Sequence, residues 1–172
     1  MRLLLVLSML AAWALALWLW PDLPELVPIH FDLAGNPDGW ASKSWWNWFA
    51  LPALGTALGA ALGLLVPWWM VRLARANSPW LNVPWRERFR ALPTEARVRA
   101  VQRPAPWFAL LAICVQVLLG WIAYGSSQVA SGAWTALPPG PSFAGLALLL
   151  GAAAGAAVAG AAAVRREIRR SA

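Results

Sequence analysis

Charge is what this 172-residue sequence has least of: Asp, Glu, Lys and Arg together make up 12 %, about half the ~25 % of an ordinary soluble domain. Apolar residues make up 60 %, before its 13 glycines are counted. That balance excludes intrinsic disorder, which requires low hydrophobicity and high charge, and it argues against a soluble globular domain. The single cysteine, Cys114, excludes an intramolecular disulfide and any cysteine-built zinc site. The single histidine, His30, excludes multi-histidine metal centres and the HExxH arrangement. No soluble linker and no internal repeat divides the chain, so one membrane domain over residues 1–172 is expected.

The few charges are segregated. Nothing between Leu3 and Pro21, or between Ser44 and Val71, is ionisable, and nothing between Pro104 and Val164 is charged. A helix needs about 20 apolar residues to cross a hydrocarbon core of ~30 Å. The first two stretches hold one span each, residues 3–20 and 48–71. The third is too long for one crossing. Its turn-forming clusters, Gly125-Ser126-Ser127-Gln128 and Pro138-Pro139-Gly140-Pro141, divide it into spans at 107–124 and 142–164. The expected fold is an all-α integral membrane protein with four transmembrane helices, because a helix satisfies its own backbone groups in lipid.

The 14 tryptophans bracket these spans. Trp18 and Trp20 close the first; Trp45, Trp46 and Trp48 open the second, and Trp68 and Trp69 close it; Trp107 opens the third, and Trp121 with Tyr124 closes it. Indole favours the membrane–water boundary, where its ring is apolar and its N–H finds a partner. Segment 72–106 carries eight arginines against two glutamates, the tail after Val164 carries four against one, and Arg2 opens the chain. The outer loop, 21–46, carries four acidic residues against Lys43. Basic loops stay on the cytoplasmic side, which predicts an N-in, C-in, multi-pass membrane protein. A signal peptide cleaved near Ala14-Leu15-Ala16 competes with the first span. The apolar run continuing through Trp20 favours retention, and cleavage would leave the outer loop on the same side.

In the basic loop, 84–90 and 93–101 read as short helices starting near proline. The loop reads as an ordinary topogenic basic segment, with the alternative that Trp80, Trp85 and Phe89 enter the headgroup zone while arginines reach anionic lipid or a partner. No base-reading module accompanies the basic charge, so no nucleic-acid partner is expected; the lipid bilayer is. Within the spans, Gly55, Gly59 and Gly63 repeat every four residues on one helix face, and Gly151 and Gly155 do so in the fourth span. Such faces admit close helix approach, within the chain, in a homodimer or against a partner membrane protein. Gln116 is expected to bond across helices, and Cys114 to behave as a small buried hydrophobe. The absence of Asp, Glu, Lys, Arg and His inside the spans argues against a transporter.

The outer loop has its own character. Pro21, Pro24 and Pro28 keep its start extended, Ile29–Leu33 alternates as a short strand does, and Gly35-Asn36-Pro37-Asp38-Gly39 is turn chemistry. Ser42 or Ser44 is placed to cap the second span. The series Leu23-Pro24, Pro28-x-His30-Phe31, Gly35-x-x-Asp38, Trp40 and Lys43 resembles the domain of unknown function at the N-terminus of Sdp-toxin immunity-type bacterial membrane proteins, over about residues 10–65. The resemblance implies an integral membrane protein of bacterial type and no known reaction.

Chemically, a strand places His30 and Asp32 on one side, and the turn returns Asp38 toward them. That trio is a weak candidate for a divalent cation, a pH-sensing pair, or plain scaffold in which Lys43 pairs with Asp38. No cofactor is implied, and no nucleophile or base pair in a pocket suggests catalysis. The expected role is that of a non-catalytic membrane protein whose loop, through Pro28, His30, Phe31, Asp32, Gly35, Asp38, Trp40 and Lys43, senses or recognises something outside, in an immunity-like manner. The alternatives are an accessory subunit docking through Gly55, Gly59 and Gly63, and a metal-dependent membrane enzyme.

Overall fold

The computed structural model describes residues 1–171. Helix α1, Arg2–Leu19, is after Arg2 a run of Leu, Val, Ala, Met and Trp with Ser8 as its one polar residue, and it ends before Pro21, which has no N–H to continue it. A hairpin of β1, Leu26–Phe31, and β2, Pro37–Ser42, follows. Ser44 then caps α2, Trp45–Ala60, its hydroxyl accepting from the Asn47 N–H at 3.2 Å. A π-helical turn at Ala61–Leu65 links α2 to α3, Val66–Arg75, so that Trp45–Arg75 is one continuous 31-residue span. The wider turn lies directly before Pro67, whose ring and missing N–H disrupt the regular ladder there. Short helices α4, Arg86–Arg90, and α5, Thr94–Gln102, lead into α6, Ala105–Ala130, and α7, Pro139–Ser171, closes the chain.

Four helical stretches are long and apolar enough to cross a membrane, and the short two-strand segment sits between the first two. Their large apolar side chains point outward; Leu3, Leu10, Leu17, Leu65, Leu148 and Val158 are among those exposed. A bilayer is the solvent for such a surface, and the chain is a multi-pass membrane protein. Successive spans run in opposite directions, so the hairpin and Lys43 lie at one end and all thirteen arginines at the other.

Several boundaries differ from the sequence expectation. Gly125-Ser126-Ser127-Gln128 does not break the third span; α6 runs on through Ala130. Gly125, Ser126 and Ser127 are buried, with the Leu137 side chain where a Cβ on Gly125 would stand. The Ser127 hydroxyl donates to the Tyr124 carbonyl at 2.7 Å, a bond made inside the helix. Tertiary burial of small side chains has overridden their turn preference. The chain turns instead at Ser131-Gly132, where Gly132 takes a φ of 77°. Pro139 and Pro141 open α7 instead of preceding it, because a first turn needs no N–H from them. At 33 residues, α7 also extends well past the expected 142–164.

Helix α6 is the centre of the bundle, packed against α1, α2 and α7. Gly55, Gly59 and Gly63 are buried, and their face is filled from within the chain. Gln116 lies over Gly55 and Gly59, donating to the Gly55 carbonyl at 2.5 Å, while Met9 and Leu5 from α1 cover Gly59 and Gly63. Within this chain, that face is therefore packed by α1 and α6. Gly155 lies against the Trp107 ring, whereas Gly151 meets no described atom of this chain within 4 Å. Cys114 is half-buried.

Most span-end tryptophans are exposed, but Trp48 is not. It is 4 % exposed and donates its indole N–H to the Ala16 carbonyl at 2.8 Å, fastening α2 to α1. At the arginine end, a second core forms from Ala74, Leu81, Phe89, Leu92, Val101 and Val164. Of the three aromatic residues that offered a headgroup contact, Phe89 is 2 % exposed in this core, while Trp80 and Trp85 face outward.

Candidate functional site

The hairpin is antiparallel, pairing Pro28 with Trp40 and His30 with Gly39, with irregularities on both sides of His30. Its first strand starts earlier and ends sooner than the 29–33 expected, and its second strand occupies residues read as turn. Pro37 is tolerated as the first residue of that strand. Gly39 brings the strands close: a Cβ there would stand 2.9 Å from the His30 Cβ.

Three devices fix the hairpin on the bundle. Val27 and Pro28 are buried, Val27 beside Leu23, Ala16, Leu19, Trp48 and Phe49. Gly35, with φ of 90°, accepts from the Leu137 N–H at 2.8 Å, and a Cβ would collide with the Leu137 carbonyl. This contact ties the hairpin turn to the α6–α7 connection. Lys43 donates to the carbonyls of Leu23 at 2.8 Å and Pro21 at 3.3 Å, and its ammonium stands 4.9 Å from the Trp20 ring centre. It therefore holds the chain as it leaves α1 and does not pair with Asp38. Around it, Trp20, Trp45 and Phe49 stack with ring centres 4.7–5.5 Å apart.

The candidate residues separate into two groups. Asp32 closes the turn, accepting from the Asn36 backbone N–H at 2.8 Å and from its side-chain amide at 3.0 Å. These bonds, that of the Asn36 side chain foremost, hold its carboxyl below its ordinary pKa. Asp38 instead meets His30, with Oδ1 and Nδ1 2.5 Å apart. The His30 side chain is 71 % exposed and that of Asp38 49 %, and His30 Nε2 makes no hydrogen bond to a described residue. Thus His30 and Asp38 come together while Asp32 bonds elsewhere. Among the described residues no three His, Cys, Asp or Glu side chains are grouped to hold a metal ion. Phe31 is half-buried, and Trp40 stands exposed on β2.

Beside the hairpin lies a cavity of about 280 Å³, lined by Pro28, Ser42, Lys43, Asn47, Trp48 and Ser126 among others. Sequence reading missed Asn47 and Ser126 as wall residues. Asn47 follows the cap, where it donates to the Ser42 carbonyl at 2.9 Å, and Ser126 reads as a turn former until α6 is seen to continue through it.

No curated protein and no solved structure matches the chain. Residues 7–56, which contain α1 from its second turn, the whole hairpin and α2 as far as Thr56, match the family model described as Domain of unknown function (DUF1648), in agreement with the resemblance carried by Pro28, His30, Asp38 and Lys43.

Proposed function

We propose that this is a non-catalytic bacterial inner-membrane protein that recognises or senses a partner outside the cytoplasm through its hairpin, in an immunity-like manner. The observation that carries this reading is the contrast between His30–Asp38 and its neighbours. Asp32, Gly35 and Lys43 are committed to holding the hairpin together and onto the bundle. His30 and Asp38 form an exposed polar pair on that fixed platform, with Trp40 exposed nearby on β2 and one imidazole nitrogen bonded to no described residue. A pre-positioned polar pair beside an exposed aromatic suits recognition, since little ordering has to occur on binding.

Replacing His30 or Asp38 with Ala is expected to leave expression, membrane insertion and detergent-solubilised Tm within about 2 °C of the parent, since exposed side chains contribute little to stability. Both variants are expected to fail to complement a deletion strain under the condition in which the deletion shows a phenotype. Full complementation by both variants would overturn the reading. Loss of folded protein in both would make the pair scaffold.

A further inference from the structure

At the arginine end, two grooves meet along α7. One, of about 400 Å³, has almost wholly apolar walls that include Met70, Val83, Phe108, Ala157 and Gly160. The other, of about 530 Å³, lies between Trp85 and the arginine-bearing turns of α7. They share Ala161, and the adjacent residues Pro84 and Trp85 line one groove each. Arg165, Arg166 and Arg169 in the second groove are exposed and make no hydrogen bond or ion pair to another described residue. Nearby Glu167 neutralises none of them, because it is buried and bonded to Arg99 at 2.9 Å and Arg170 at 3.4 Å.

Unpaired like charges one helical turn apart, as Arg165 and Arg169 are, repel each other. An anion between them removes that repulsion, and guanidinium groups match phosphate by forked hydrogen bonding. The cluster begins directly after Val164, where the apolar stretch of α7 ends, so it lies at headgroup depth while the apolar groove runs back into the hydrocarbon. Trp85 stands between them in a left-handed backbone conformation, φ 51°, which a bulky residue seldom adopts. Its indole, 47 % exposed, is placed at the boundary that tryptophan favours.

We propose that this pair of grooves is a binding site for one anionic glycerophospholipid, its phosphate held by Arg165, Arg166 and Arg169 and an acyl chain lying in the groove beside Phe108, Ala157 and Gly160. The charge of one groove and the apolar walls of the other match the two halves of that molecule.

The test uses the full chain, delipidated in a neutral detergent and titrated with phosphatidylglycerol, phosphatidylcholine or inorganic phosphate while Tm is followed. Phosphatidylglycerol is expected to raise Tm saturably, with at least tenfold higher apparent affinity than phosphatidylcholine, and inorganic phosphate is expected to give no comparable rise. Replacing Arg165, Arg166 and Arg169 together with Gln should weaken the phosphatidylglycerol response at least tenfold. Ala157→Phe, at an exposed wall position, should weaken it while leaving every charge in place. Replacing the exposed Arg2, Arg75 and Arg88 together with Gln should leave it unchanged. An equal response to both lipids, an equal response to inorganic phosphate, or an equal loss from the Arg2/Arg75/Arg88 replacement would each overturn the site.

Discussion

Gly59→Ile is expected to lower the detergent-solubilised Tm by roughly 10 °C, corresponding to about 3 kcal/mol for a chain of this size. Gly59 is buried where α1, α2 and α6 converge: a Cβ there would meet the Met9 methyl and stand 2.8 Å from Gln116 Nε2. An isoleucine forces these helices apart, and overpacking of this kind costs about 1–3 kcal/mol. It also pushes Gln116 away from the Gly55 carbonyl, and losing a buried hydrogen bond adds about 1–2 kcal/mol. The control is Gly151→Ile. Gly151 is exposed and nothing lies within 4 Å of it, so its Tm should stay within about 2 °C of the parent. If Gly59→Ile kept the parental Tm but lost a co-purifying membrane protein, the glycine face would belong to that partner and not to this chain's own α1 and α6.

The second large effect is expected at the other end. Arg97 is 7 % exposed and has no carboxylate partner among the described residues. Its guanidinium donates to the carbonyls of Ala74 at 2.9 Å, Leu92 at 2.7 Å and Arg90 at 3.3 Å, and to the Thr94 hydroxyl at 3.0 Å. Ala74 lies in the last turn of α3, and Arg90 ends α4, so the charge sits at C-terminal helix ends, where the dipoles are negative. Arg97→Met keeps much of the volume but removes the charged donor from all four acceptors, at about 1.5–3 kcal/mol for each well-formed bond. The Leu92 carbonyl is left without a donor among the described residues, while those of Ala74 and Arg90 keep the Asn77 backbone and side-chain N–H groups at 3.3 Å. A total of about 3–5 kcal/mol is expected. The loss should be local. Hydrogen exchange should rise across α4, α5 and residues 76–93, while the hairpin keeps its protection. Arg97→Lys should recover only part of the difference, because a single ammonium does not reproduce the planar fork. Unchanged exchange in α5 of Arg97→Met would show that Arg97 does not fasten this layer.

These two sites differ in how far sequence alone reveals them. Glycines at 55, 59 and 63 carry their signal in their spacing, and the gaps between charged residues locate every span, because burying a charge in hydrocarbon costs too much to be hidden by local detail. Arg97 is one of eight arginines in a single loop, and nothing local distinguishes the one that turns inward. Lys43 reaches carbonyls at positions 21 and 23, a tertiary contact that charge counting misread as a bond to Asp38. Residues 125–128 and 37–39 mislead for a common reason: their turn preference is weak beside the packing of α6 against Leu137 and the pairing of the two strands. The meeting of His30 and Asp38 was legible, since a tight turn after a strand returns the chain onto the residues just before it.

The recognition surface proposed for the hairpin and the lipid site proposed for the arginine end both require that the two ends lie on opposite sides of a bilayer. Paired reporter fusions test this directly. Alkaline phosphatase fused after Ala34, in the hairpin turn, should be active, and the same enzyme fused after Arg90 should be inactive, with green fluorescent protein bright at Arg90. Active phosphatase after Arg90, or the same reporter response at both positions, would contradict the arrangement of four spans with the arginines inside.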